Sequence, residues 1–132
     1  MDMKENKSII RRFIEEGLNK RNPALIEEVY SHNYVGHDPE RPSPRTILDI
    51  QHGMVGLLSK VFPDGKYSIE RLVAEDDLVT WHWVFRATHQ GEITGMPATG
   101  RQISFGGIHI FRLENGKVVE DWVYRDTVAQ TI

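Results

Sequence analysis

The sequence predicts an α+β fold, three N-terminal helices packed on a curved, mainly antiparallel sheet, and three observations carry that prediction. Apolar residues recur every 3.6 positions as far as Val61 and every second position after Gly65. A segment holding three prolines, "GHDPERPSPR", divides the second helical stretch from the third. Four strand-like runs then follow one another with short polar breaks, an order that lays helices against one face of a meander.

From Lys4 to Asn19, Ile9, Ile10, Phe13, Ile14 and Leu18 line one helical face, and Gly17 weakens the end. Asn22 is placed to cap the second helix and Pro23 suits its first turn, so that Leu25, Ile26, Val29 and Tyr30 face inward. "SHNYVGHDP" reads as the junction of this helix with a loop and displays His32, His37 and Asp38. The third helix carries Ile47, Ile50, Met54, Leu57, Leu58 and Val61, and "FPD" stops it. The strands are "KYSIERLVA", "LVTWHWVFRATH", "RQISFGGIHIFRL" and "KVVEDWVYRD", with breaks at "EDD" (75–77) and "ENG" (114–116).

A chain of 132 residues is long enough for one core, so residues 1–132 are expected to form a single domain. A net charge of −3 supplies no basic stripe, which argues against a nucleic-acid partner. The absence of cysteine excludes disulfides, thiolate metal sites and cysteine nucleophiles. With no signal-like or membrane-spanning apolar run, a soluble, cytoplasmic protein that does not bind membranes is expected.

Strand alternation sorts the polar residues by face. Val79, Trp81, Trp83, Phe85, Ala87 and His89 share one face, as do Phe105, Gly107, His109 and Phe111. On the last strand the same parity groups Val118, Glu120, Trp122, Tyr124 and Asp126, leaving Asp121 with Val119 and Val123. A carboxylate on an apolar face loses hydration and gains either a raised pKa or a partner, and both suit a general base. The plain alternatives are that His109 is a satisfied core histidine and Asp126 a solvated strand end. His32 and His37 are five apart, wrong for one helical face, and no metal-ligand spacing, nucleophile elbow or phosphate loop occurs. Neither metal nor cofactor is expected.

Taken together, "HDP", "FPD", "AEDDLVTWHW", "THQGEITGMPATGR", "GIHIFRLENGKVVEDW" and the final Asp126 resemble the SnoaL-like polyketide cyclases, within the nuclear-transport-factor-2-like superfamily, from about Asn6 to Asp126. The resemblance implies a cone-shaped barrel around a deep apolar cavity and a cofactor-free intramolecular aldol condensation on a polyketide-like substrate. It places the acid/base role on Asp126, with Asp121 as fallback, and His37 and His109 beside it. Trp122, Trp83 and Phe105 become apolar walls, with His89, Tyr124 and Glu120 further candidates for substrate contact. The Gly-rich 88–104 segment becomes the rim of the cavity. Since one architecture serves many chemistries, an isomerase, dehydratase or hydrolase using the same pocket stays open, as does a non-catalytic binder of small hydrophobic molecules. Leu78, Val84, Ile108 and Ile110 on the opposite sheet face suggest a homodimer.

Overall fold

The computed structural model describes residues 2–92 and 95–126. Helix α1, Met3–Arg12, starts where Asp2 Oδ1 accepts a hydrogen bond from the Glu5 N–H at 2.7 Å, and it runs on through wider, π-type turns over Phe13–Leu18. Its predicted apolar face is buried through Ile10, Phe13 and Ile14. Helix α2, Ala24–Val29, begins one residue later than expected, and Asn22 Oδ1 accepts from the Ala24 N–H at 3.2 Å.

The chain then forms a strand where a loop was expected. Strand β1, Tyr30–His37, lies parallel to the last strand, with Gly36 beside Asp121 and His37 beside Trp122. Its pattern is masked in the sequence because its inward positions are Tyr34 and Gly36 and one of its outward positions is Val35. A parallel edge strand takes its ladder from a distant segment, so nothing local announces it.

Helix α3, Ile47–His52, opens with the Thr46 N–H donating to Asp49 Oδ2 at 2.8 Å and continues in π-type turns over Gly53–Val61. The first predicted strand is split into β2, Lys66–Tyr67, and β3, Arg71–Glu75, both paired antiparallel to β4, Leu78–Thr88. Strands β5, Gln102–Glu114, and β6, Lys117–Arg125, complete the sheet. The order is β1-β6-β5-β4-β2, with β3 also on β4, so the sheet is mixed and curled around the helices but open. The curled sheet under the helices is the cone-shaped α+β arrangement expected, and it does not close on itself: β1 and β2 remain as edges.

The centre of the concave face is filled by the protein's own rings. Trp81, Trp83, Phe85 and Phe111 are each 1% exposed. Gly107 makes room for this packing, since a methyl group there would run into the Trp83 indole and lie 2.6 Å from the Tyr124 carbonyl. Open surface on the concave side persists along β5, where Ile103, Phe105, Gly107 and His109 are only half-buried. Among the described residues no helix is long and apolar enough to cross a membrane.

One irregularity reverses the expected faces of β6. Leu113 pairs with Val118 but Arg112 pairs with Glu120, so Val119 is an extra residue in a β-bulge. Side chains alternate with period 2, and one inserted residue therefore moves every later side chain to the other face. Asp121, Val123 and Arg125 turn inward, while Glu120, Trp122, Tyr124 and Asp126 turn outward.

Candidate functional site

The concave end of β6 gathers a polar cluster from four elements. Asp121 is 0% exposed and paired with Phe111 of β5, which makes it a diagonal neighbour of His109 on the same face. The Tyr34 hydroxyl, from β1, donates to Asp121 Oδ1 at 2.7 Å. Arg45, from the Pro-rich segment, donates through Nη2 to Oδ1 at 3.2 Å and Oδ2 at 3.4 Å. Two backbone hydrogen bonds between Gly36 and Arg45, 2.8 and 3.0 Å, fix that segment over the carboxylate. Burial pushes the Asp121 carboxyl above the usual aspartate range, only partly offset by Arg45 and Tyr34. Arg45 is charged at every accessible pH, so Asp121 is the member of the pair whose protonation state can change.

Gly36 is what lets Tyr34 reach the carboxylate. The phenol folds back across it, and a Cβ at that position would collide with the Tyr34 hydroxyl and lie 2.8 Å from Asp121 Oδ1. Gly36→Ala is expected to destabilise the fold by about 1–3 kcal/mol through overpacking. In urea titrations, Tyr34→Phe should then cost less in that background than in the wild type, because the hydrogen bond is already displaced.

His109 stands next to this cluster. Its ring stacks on Phe111, 5.4 Å between centroids and 16° between planes, and lies 5.4 Å from Trp81. Trp83 Nε1 donates to His109 Nδ1 at 2.9 Å. Burial, reinforced by the charges of Arg45 and Arg125, holds the imidazole well below its usual pKa of 6.5 and keeps it neutral. In the unfolded chain the ring takes up a proton below that pH, so its contribution to stability is present above about 6.5 and is lost on acidification. Asparagine at 109 can accept the same indole hydrogen bond without titrating. The difference in melting temperature between wild type and His109→Asn should therefore narrow as pH falls from about 7.5 to about 5.5.

Arg125 closes the inward end of the cluster. Its Nη1 donates to Asp38 Oδ2 at 2.8 Å and Glu40 Oε2 at 3.1 Å. Asp38 is raised by its burial, but Arg125 and the Glu40 N–H more than reverse this and leave it below the ordinary range. Tyr34, Arg45 and Arg125 are contributors that the sequence reading missed, whereas Asp38 was among the residues expected at the helix–loop junction. The prolines around Arg45 pointed only to a loop, and the inward parity of Arg125 exists only because of the bulge.

The remaining sequence candidates fall into three places. His37 Nε2 donates to Glu120 Oε2 at 2.7 Å and its ring stacks on Trp122, 5.4 Å away at 25°, all on the outer face. The hydrogen bond from His37, then that from Arg112, holds the Glu120 carboxyl below the usual range. Trp122, Tyr124 and Glu120 are thus outside the concave face they were expected to line. Asp126 is exposed, with its N–H bonded to the Gly106 carbonyl at 2.8 Å. It borders an open depression whose lining runs from His82, Val84 and Ile108 on the outer face to Phe105 and Arg125, and the bulge overturns the parity argument that ranked it above Asp121. Trp83 and Phe105 are on the concave side, their rings 6.0 Å apart at 75°.

His89 is buried at the base of the 88–104 segment, where Nδ1 meets Thr99 Oγ1 at 3.0 Å and the ring faces Phe62. Gln90 and Gly91 donate to the Val61 carbonyl at 2.9 and 3.2 Å, docking the segment on the end of the α3 extension. Gly95 and Gly100 have φ of 80° and 69°, the left-handed conformation that glycine tolerates. Ile93 and Thr94, within the same segment, lie outside the described residues. Among the described residues no three His, Asp or Glu side chains converge as metal ligands would.

Similar proteins agree with this architecture. AclR of Streptomyces galilaeus, a proposed hydroxylase, superposes with a TM-score of 0.87 at 27% identity, covering 98% of this chain and 94% of its own. IdmH of Streptomyces antibioticus, a proposed polyketide cyclase, gives 0.83 at 26% identity, covering 96% and 95%. A proposed SnoaL-like polyketide cyclase from Jannaschia sp. CCS1 shares the fold at 0.85 with 18% identity, covering 98% and 90%. A comparison with curated proteins gives no match. The family model described as SnoaL-like polyketide cyclase matches residues 8–131, nearly the whole chain, and the chain therefore belongs to the SnoaL-like polyketide cyclase family.

Proposed function

We propose that this chain is a cyclase-type enzyme that moves a proton on a small hydrophobic carbonyl compound without a cofactor, with Asp121 as acid and base. One observation carries the assignment: Asp121 is the inward carboxylate of β6, sealed from water and diagonal to a neutral imidazole. In an intramolecular aldol condensation, Asp121 takes the proton from a carbon flanked by carbonyls. The carbanion attacks a second carbonyl carbon, forming the C–C bond, and the resulting alkoxide regains the proton from Asp121. Conjugated carbonyls spread the charge of the carbanion, so the protein has to supply orientation and a base tuned by burial. The carboxylate has no exposed surface in this closed arrangement, and turnover requires Arg45 and its segment to lift away.

That same closure favours one alternative, in which Asp121, Arg45 and Tyr34 are a purely structural ion pair in a non-catalytic binder. Deuterium exchange into an aryl β-keto ester separates the two readings. Exchange catalysed by the wild type and by Asp126→Asn, but not by Asp121→Asn, supports the enzyme; equal exchange in all three removes Asp121 from the chemistry.

Two further expectations belong to this reading. A cysteine-free chain suits the reducing cytoplasm. The outer sheet face, with Ile108 40% and Tyr124 54% exposed beside Val84, is the surface through which a homodimer would form. Sedimentation at micromolar concentration should show twice 15.2 kDa, and Ile108→Lys should return the single-chain mass.

A further inference from the structure

We propose that Asn115, in the turn between β5 and β6, is a site of spontaneous covalent modification: its side-chain amide is lost to attack by the Gly116 backbone nitrogen, leaving aspartate or isoaspartate in the hairpin. The turn has two residues, since Glu114 pairs with Lys117, and both are left-handed, Asn115 at φ 51° and Gly116 at φ 78°. Asparagine suits the first position because it tolerates that conformation, and glycine suits the second because it has no Cβ. The same pair sets an amide carbon beside an unshielded backbone nitrogen. Asn115 is exposed, and among the described residues neither its side chain nor the Gly116 N–H has a hydrogen-bond partner.

The chemistry needs only water. The Gly116 nitrogen gives up its proton and bonds to Asn115 Cγ, the Cγ–Nδ2 bond breaks, and ammonia leaves with that proton. The five-membered imide then adds water at one of its two carbonyls. Opening one way gives aspartate; opening the other gives isoaspartate, whose main chain runs through the β-carbon. Other positions lack one of the requirements. At Asp64–Gly65, where an acid could form the same imide, the Gly65 N–H donates to the Phe62 carbonyl at 2.9 Å and Thr88 holds both Asp64 oxygens, at 2.9 and 2.7 Å. Asn22 precedes Pro23, which has no N–H, and the Asn19 amide is bonded on both sides to the Tyr67 backbone at 2.9 and 2.8 Å. Asn6, in α1, and Asn33, in β1, precede Lys7 and Tyr34, whose side chains crowd the attacking nitrogen.

The two products differ in what they do to the fold. Aspartate adds one negative charge to an open depression that Asp2, Asp76, Asp77 and Glu114 already line, a weak repulsion at an exposed site. Isoaspartate adds a carbon to the main chain, and the register of a hairpin follows from its turn. The strand affected is β6, whose bulge at Val119 turns Asp121 inward. None of this depends on the chemistry that Asp121 performs.

The full-length protein is held at about pH 8 and about 37 °C for several weeks, and trypsin then releases Leu113–Lys117 for mass spectrometry. That peptide should carry about tenfold more acid than any other asparagine-containing peptide, because the attack is unhindered only there. An intact amide at 115, or earlier conversion at another asparagine, overturns the proposal. Methyl transfer from S-adenosylmethionine by an isoaspartyl O-methyltransferase should label the same peptide; no label would mean that the imide had not formed. The acidic fraction, separated by anion exchange, should unfold at a urea midpoint about 0.5 M below wild type, whereas Asn115→Asp, with the same charge and an ordinary main chain, should stay within about 0.2 M. Equal midpoints for the two would overturn the effect on the hairpin. Asn115→Gly keeps a residue suited to the left-handed turn and has no amide, so its midpoint should survive the same incubation; a fall equal to that of the wild type would place the change elsewhere in the chain.

Discussion

Asp121→Asn is expected to slow proton removal from the carbon of an aryl β-keto ester by about 10²–10⁴-fold, the usual contribution of a positioned general base, while the chain stays folded. The amide is close in shape to the carboxyl and still offers Oδ1 to the Tyr34 hydroxyl, but it leaves the Arg45 charge without a counter-ion, so the rates are compared at a temperature where circular dichroism shows the variant folded. The pH dependence follows from the direction of the Asp121 shift. Burial raises its pKa above 3.8, and only the ionised form can act as base, so the wild-type rate should fall on acidification with a midpoint above that value. A midpoint at or below the ordinary aspartate value, or a rate insensitive to Asp121→Asn, would assign the chemistry elsewhere.

Asp121→Ala tests the opposite face of the same group and should cost about 3–5 kcal/mol of stability at pH 7. The loss is large because Arg45 cannot discharge. Its guanidinium, with only 12% of its side chain exposed, would keep its charge with no counter-ion, and the Tyr34 hydroxyl would lose its acceptor. The ionised Asp121 is itself held at a cost. Its raised folded-state pKa means that the native state binds the proton more readily than the unfolded chain, so this group's contribution falls as pH rises above 3.8. Removing both charges is therefore predicted to be far milder than removing one. The double variant Asp121→Leu with Arg45→Met should recover most of the stability lost in Asp121→Ala, read as a urea midpoint with unchanged slope. A double variant as unstable as the single one would show that the site depends on the ion pair for its shape.

Much of the molecule was legible in the sequence, for a physical reason that its strands share. On β4 and β5 the side chains alternate without interruption, and the predicted inward sets from Val79 to Ala87 and from Phe105 to Phe111 are the concave face of the sheet. His109 was placed correctly on that face by parity alone. The helices were legible because each has a single apolar stripe with a cap or a breaker at its ends. Strand β1 was not, since a parallel edge strand pairs with residues about 85 positions later in the chain.

The candidate site turned on one residue, Val119. Nothing in "GKVVEDW" marks which of its two valines is extra; the choice is made by how β6 must sit against β5 for Val118 and Val123 both to be buried. That choice exchanged Asp126 for Asp121 and sent Glu120, Trp122 and Tyr124 outside with His37.

The sequence by itself determined the α+β order, the family, the apolar faces of the helices and of β4 and β5, and the presence of acidic groups near the end of the last strand. These are properties of local period and composition, which any segment carries with it. Only the tertiary structure decided which carboxylate is dry, which cation covers it, and which nitrogen of His109 holds a proton. Each of those depends on contacts between residues dozens of positions apart, where a single bulge changes the face and a neighbouring indole changes the chemistry.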